Sequence, residues 1–229
     1  LNAAFPCGLL PYDHELINGT IRKIESRMSP GGIPVHTGWM EDGMWVAITL
    51  DNLAEVLLFR DEADAAARYL YATLNHGTPL YSWCEERGQE PGAKECTGDR
   101  QHLWTPLALG RYIRDALVLE DGDTLHLARG TARQWLGSGQ PVGTQGICSH
   151  FGRVSYEMRY DPKTRQVAGS FEISSDKPVP RVVLHVRLPG APKIKSLMNA
   201  PGATLSADGE TIEWRDVSGG NSFEAVIGL

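Results

Sequence analysis

Two segments of the chain gather the residue types that handle sugars. The first is His36-Thr37-Gly38-Trp39-Met40-Glu41-Asp42-Gly43-Met44-Trp45. The second is Trp83-Cys84-Glu85-Glu86-Arg87-Gly88-Gln89-Glu90, leading into Thr97-Gly98-Asp99-Arg100-Gln101-His102-Leu103-Trp104. Sugar rings have apolar C–H faces that stack on indole, and hydroxyls that hydrogen-bond to carboxylates and guanidinium groups. Breaking a glycosidic bond requires two carboxyl groups, one protonating the leaving oxygen and the other activating water or attacking. Crowded acids such as Glu85 and Glu86 raise the proton affinity of one of them. Blander readings stand beside these. Glu85-Glu86 also suits a solvated loop, and Glu41-Asp42 a helix start that favours negative charge. Trp39 and Trp45 also suit core packing, and His102 a plain helix start.

Both segments must be held by the elements around them, and the first half reads as helical. Asp13 is placed to cap a helix striped by Ile17, Ile21, Ile24 and Met28. A Pro/Gly-rich stretch over residues 29–34 breaks it. A second helix is expected over residues 43–59, with Val46, Leu50, Leu53 and Leu57 on one stripe, and a third from Asp61, striped by Ala63, Ala67, Leu70 and Leu74. A long polar loop spans residues 81–100, before a helix over residues 102–119 with Leu103, Leu107, Gly110, Ile113 and Leu117 inward. The period then changes. Val154, Tyr156, Met158 and Tyr160 alternate with Ser155, Glu157 and Arg159, and Val182, Leu184, Val186 and Leu188 alternate with Val183, His185 and Arg187. Such strands, with turns at 161–164 and 207–210, predict an antiparallel β-sandwich. The expected domains are a helical segment, 1–121, and a sandwich, 122–229. The sandwich alternation shows no constellation of reactive groups, so it reads as a packing or scaffold domain.

Composition bounds the function. The 229 residues carry 22 Lys+Arg and 28 Asp+Glu, a net charge of -6, which argues against a nucleic-acid partner. All of that acidity lies in the first domain. No apolar run approaches the roughly 18 residues of a membrane helix. The chain begins at Leu1 with no basic-then-apolar leader, so it reads as a processed chain or a piece of a longer one, and localisation stays open. Cys7, Cys84, Cys96 and Cys148 form no CxxC pair, which argues against a zinc knuckle, and no oxygen-rich loop has calcium spacing. Neither a metal nor another cofactor is expected. Cys84 and Cys96 flank one loop as a disulfide or as free thiols. Cys148-Ser149-His150 juxtaposes thiol and imidazole without a third partner.

Glu41-Asp42-Gly43-Met44-Trp45-Val46-Ala47-Ile48, the helix pair after it, and the Trp83…Trp104-Thr105-Pro106-Leu107 segment resemble the later half of the six-hairpin, (α/α)6-barrel glycoside hydrolases. Helices followed by a sandwich resemble the rhamnosidase-like branch. The resemblance covers residues 12–120. It implies an α+β multidomain fold: a partial (α/α)6 toroid followed by an antiparallel β-sandwich. It further implies an O-glycosyl hydrolase acting with inversion on an oligosaccharide or glycoside. Glu86, or its neighbour Glu85, maps onto the catalytic base. The chain departs from the family in lacking an earlier acidic loop, so the acid is Glu41 or lies outside the chain. Asp42 and Trp45 become sugar contacts, and Trp39, Trp83, Arg100, His102 and Trp104 line the remaining subsites. About four long helices make only half of such a barrel, so the other half is expected upstream or on a partner chain. Two alternatives remain. One is a non-catalytic carbohydrate-binding or structural segment. The other is a polysaccharide lyase using Tyr81, His102 and Arg100, for which the Glu-rich loop is a poor host.

Overall fold

The computed structural model describes residues 1–36, 38–90 and 93–228. The chain divides into two compact units, Leu1–Ile113 and Arg114–Leu229.

The first unit mixes helices with a small sheet. Helix α1 spans Glu15–Glu25 and starts at His14, whose ring accepts the Leu16 N–H at 3.2 Å. Glu15 in its first turn and Arg22 and Lys23 in its last complement the helix dipole, and Ile17 and Ile21 are buried. Strand β1 is Gly43–Met44. A π-helix, Thr49–Ala54, then leads into α2, Glu55–Phe59. Helix α3 is Ala63–Asn75, β2 is Glu86–Gly88, β3 is Cys96–Thr97, and α4 runs over Trp104–Leu117. The three strands pair antiparallel in the order β1-β2-β3.

This architecture overturns the expected toroid and the resemblance that implied it. Among the described residues, strands take 33% of the chain and helices 25%, in five helices, with three separate sheets. The expected helix over 43–59 shows why. Gly43 and Met44 pair with Gly88 and Arg87, so the segment opens as a strand, and its next turn widens to a π-helix. Its apolar stripe is real, but Ala47, Ala54, Val56 and Leu58 are buried too, so burial surrounds a short element. Helix α4 presents a different face from the one expected. Thr105, Ala108, Tyr112 and Ala116 are buried, whereas Leu103 and Leu107 stand exposed. The barrel half expected upstream or on a partner rested on that toroid.

The second unit is a two-sheet sandwich. Its elements are β4 (Val118–Asp121), β5 (Thr124–Leu127), α5 (Arg133–Gly137), β6 (Val142–Ser149), β7 (Gly152–Asp161) and β8 (Gln166–Ser174). Then follow β9 (Val179–His185), β10 (Ile194–Met198), β11 (Thr204–Leu205), β12 (Thr211–Val217) and β13 (Gly219–Ile227). One sheet has the order β10-β13-β8-β7-β6, the other β11-β12-β9-β5-β4. The second sheet is not purely antiparallel, because β5 and β9 run parallel. Both sheets feed one core, where the Trp214 ring meets Phe171 edge-on at 5.0 Å. Each Leu or Phe buried there contributes about 1.5–3 kcal/mol. On β7, Val154, Tyr156 and Met158 face this core and Glu157 and Arg159 face out. On β9 both faces are buried, so Val183 and His185 are enclosed as well as Val182 and Leu184.

Candidate functional site

The β1-β2-β3 sheet is the frame of the candidate site. Glu86 lies on its central strand and is 1% exposed. Its carboxylate accepts the backbone N–H of Trp39 at 2.9 Å and of Met40 at 3.1 Å, with the Thr97 hydroxyl at 3.5 Å. Two glycines make room for it. A Cβ at Gly38 would stand 2.4 Å from Oε1 of Glu86, and one at Gly43 2.7 Å from the same atom. Glu86 therefore clamps the turn that carries Trp39. Replacing it with Gln removes charge-assisted hydrogen bonds from a buried position, at about 2 kcal/mol. The expected result is a lower unfolding midpoint, together with faster hydrogen exchange at the Trp39 and Met40 amides. Unchanged exchange at those two amides would contradict the clamp.

The turn leaves Trp39 68% exposed. Its ring lies 5.7 Å from that of Trp45, and Trp45 meets Trp104 edge-on at 5.1 Å. Trp104 in turn lies 6.3 Å from the His102 ring. His102 Nε2 is 3.9 Å from Glu85 Oε1, and both side chains are partly exposed. The Trp83 carbonyl accepts the His102 N–H, and Glu85 donates its N–H to Asp99. Gly98 is needed twice over: its φ is +68°, and a Cβ there would overlap the Glu85 carboxylate. The indole N–H of Trp45 and Nδ1 of His102 are buried without a hydrogen-bond partner among the described residues.

The other expected residues lie elsewhere. Trp83 is 2% exposed and donates its indole N–H to the Thr73 carbonyl at 2.9 Å, so it packs with Ile33, Val35, Met44 and Val46. Glu41 and Asp42 are exposed and line a separate acidic pocket of about 300 Å³ with Glu90 and Glu95. Glu85, Glu86 and the tryptophans are not among that pocket's walls. His36 Nδ1 is 3.6 Å from the Asp42 carboxylate and also meets the Glu41 carbonyl. Arg100 is exposed. Of the two adjacent glutamates, Glu85 is thus the one that lies beside His102 and is partly open to solvent. Thr37, in the first segment, lies outside the described residues. Cys84 and Cys96 are free thiols, and burial, then the neighbouring Cys96 thiol, push the Cys84 thiol up from its ordinary pKa.

Two polar networks escaped the sequence reading. In the first unit, Arg111 donates through Nε to Glu55 at 3.2 Å and through Nη2 to the Asp51 carbonyl and carboxylate. Two acids inside the apolar run 46–59 were the available signal. In the second unit, His126 Nδ1 is 3.1 Å from His185 Nε2, and Arg129 lies 2.9 Å from His126 Nε2. Among the described residues no group of three or more His, Cys, Asp or Glu is placed to hold a metal, and no helix is long and apolar enough to cross a membrane.

The fold and site define a chain of two units with short helices and three sheets, and an aromatic row, exposed at Trp39, on the first. No protein-family model matches the chain, and no curated protein shows significant sequence similarity to it.

Proposed function

We propose that the row Trp39–Trp45–Trp104, with Glu85 and His102 at its end, binds a glycan. The exposed Trp39 ring, held out by buried Glu86, is the observation that carries this reading. An indole face offers the C–H side of a sugar ring a flat apolar partner. Glu85 accepts hydroxyl hydrogens at the end of the row. The test is tryptophan fluorescence during titration with soluble oligosaccharides. Trp39→Ala is expected to weaken binding about tenfold or more, the effect of a central aromatic anchor. Equal affinity in that variant would overturn the reading.

A second reading, glycoside hydrolysis, is favoured by one observation: Glu85 lies beside a histidine at the edge of the aromatic row. Here Glu85 takes the proton of the attacking water, and His102 beside it, rather than buried Glu86 or the separately placed Glu41, protonates the leaving oxygen. Glu85→Gln separates the two readings. Binding kept with product release lost supports hydrolysis, and no product from the unaltered chain supports binding alone.

A further inference from the structure

The outer face of the β10-β13-β8-β7-β6 sheet carries a groove of about 840 Å³, within the range of small-ligand sites. Strand register explains its shape. In one row across the sheet, Glu157 stands between Gly143 and Ser170, and Ser170 pairs onward with Ser222. In the next row, Glu172 stands between Ser155 and Gly220. Strands favour bulky β-branched and aromatic residues. Here the cross-strand neighbours of both carboxylates are glycines and serines, and Arg159, which follows Glu157 on the same face, donates to the Gly139 carbonyl at 2.8 Å. At Gly143 the choice is forced, because a Cβ would stand 2.0 Å from the Tyr156 carbonyl oxygen. The small residues leave a trough, and Glu157 and Glu172 are the long side chains that rise from its floor.

The chemistry of the trough is uniform. Tyr156 and Phe171 turn their rings into the core, and Thr144 and Asn221 share their register row, so these four contribute backbone to the wall. The rest of the lining consists of two glycines, the serine hydroxyls, the Gln145 amide and the two carboxylates, with Pro141 at one end. No basic side chain lines it. Among the described residues, neither the Glu157 nor the Glu172 carboxylate has a hydrogen bond or ion pair. Their places are diagonal across β7 and β8, which puts the Cβ atoms roughly 7 Å apart. An anion is repelled by this pair. An apolar ligand would strip water from it without replacing the lost hydrogen bonds. A neutral polyol meets every group, since each hydroxyl both donates and accepts and vicinal hydroxyls can donate together to one carboxylate.

We propose that this groove is a binding site for a neutral, polyhydroxylated chain, a glycan, separate from the aromatic row of the first unit. Glu157 and Glu172 take its hydroxyl hydrogens, and Ser155, Ser170 and Ser222 supply the shallow floor that admits it. The aromatic row requires stacking on indole, whereas this groove relies on hydrogen bonds alone, so either site can fail without the other.

The experiment titrates the full chain with cellohexaose, xylohexaose and mannohexaose at millimolar concentration, with hexalysine as a cationic comparator. Backbone amide NMR shifts report where each binds. Expected are saturable shifts at β7 and β8 with at least one hexasaccharide, retained in Trp39→Ala. Glu157→Gln with Glu172→Gln is expected to weaken them about tenfold, because hydrogen bonds to a charged acceptor are the stronger ones. Ser170→Phe, an exposed change that fills the trough, is expected to abolish them while leaving shifts at Trp39 intact. Three outcomes overturn the proposal. In one, no hexasaccharide perturbs β7 and β8. In another, hexalysine does so in their place. In the third, the two Glu→Gln changes leave affinity unaltered.

Discussion

Arg111→Ala is expected to destabilise the first unit by about 3 kcal/mol, the lower end of the cost of stripping one partner from a buried ion pair. Glu55 is fully buried, and the guanidinium 3.2 Å away is a cation that answers its charge. Asp51 shares the same guanidinium, which also lies 4.9 Å over the Phe5 ring. Removing Arg111 therefore leaves a buried carboxylate without its cation and removes a cation–π contact. The lower end applies because the Arg111 side chain is 35% exposed, so water partly replaces it. For a unit of this size the loss lowers the melting temperature by about 12–24 °C. The check is denaturant unfolding of Arg111→Ala, Glu55→Gln and the pair. The double variant should lose less than the sum, because once the carboxylate is neutral the missing guanidinium matters little. Additive losses would show that the pair is not coupled.

Stability of the sandwich is expected to fall steeply between pH 7 and pH 5. Burial, then the charges of Arg129 and Arg181, hold His126 down at about 3. Burial, then His126 and the arginines Arg129, Arg187 and Arg181, hold His185 well below its ordinary value. The hydrogen bonds give the same sign. Arg129 donates to Nε2 of His126, so the proton of His126 sits on Nδ1 and is donated to His185. A second proton on His126 would have to enter at Nε2, against the guanidinium. In the unfolded chain both rings titrate near 6.5. Below that pH the unfolded state binds more protons than the folded one, so stability is full above about 6.5 and is lost as pH falls toward 3. At pH 5 the loss is about 2 kcal/mol from His126, and His185 adds to it in the same direction. Glu213, Glu210 and Asp208, held low by serine, threonine, lysine, arginine and backbone partners, contribute only further down, below about pH 4.5. The window from 7 to 5 thus isolates the histidines. Hydrogen exchange of the β5 and β9 amides against pH measures the slope, which should approach two protons. His126→Gln should flatten it by about one. A flat profile in the unaltered chain would refute the assignment.

Part of this was legible from the residues alone. The alternation of Val154, Tyr156 and Met158 with Ser155 and Glu157 is a local pattern of period two, and the strand follows it. The aromatic residues that form the exposed row were also visible, because Trp39, Trp45, His102 and Trp104 sit in two short segments. The helical pattern misled. Apolar residues at helical spacing say that an element is buried on one side, not how many such elements close around a centre. The phase of α4 illustrates this: leucines at 103 and 107 suggest one inward face, yet Ala108, Tyr112 and Ala116 are the residues buried, and the leucines are left outside.

The chain's chemistry-bearing residues, its acidic first half and its strand-rich second half are properties of the order of its side chains, and the sequence determined them. The role of Glu86 was decided elsewhere. Nothing in Glu85-Glu86 distinguishes the two, since neighbours in sequence share composition and local charge. Their difference arises because Glu86 opens β2 while Glu85 sits in the bend before it: one carboxylate turns toward the backbone N–H groups of residues 46 and 47 positions away, the other toward His102. The Glu157–Glu172 trough and the His126–His185 pair have the same origin. Each joins residues distant in the chain through strand register, and register follows from the burial of whole sheet faces together.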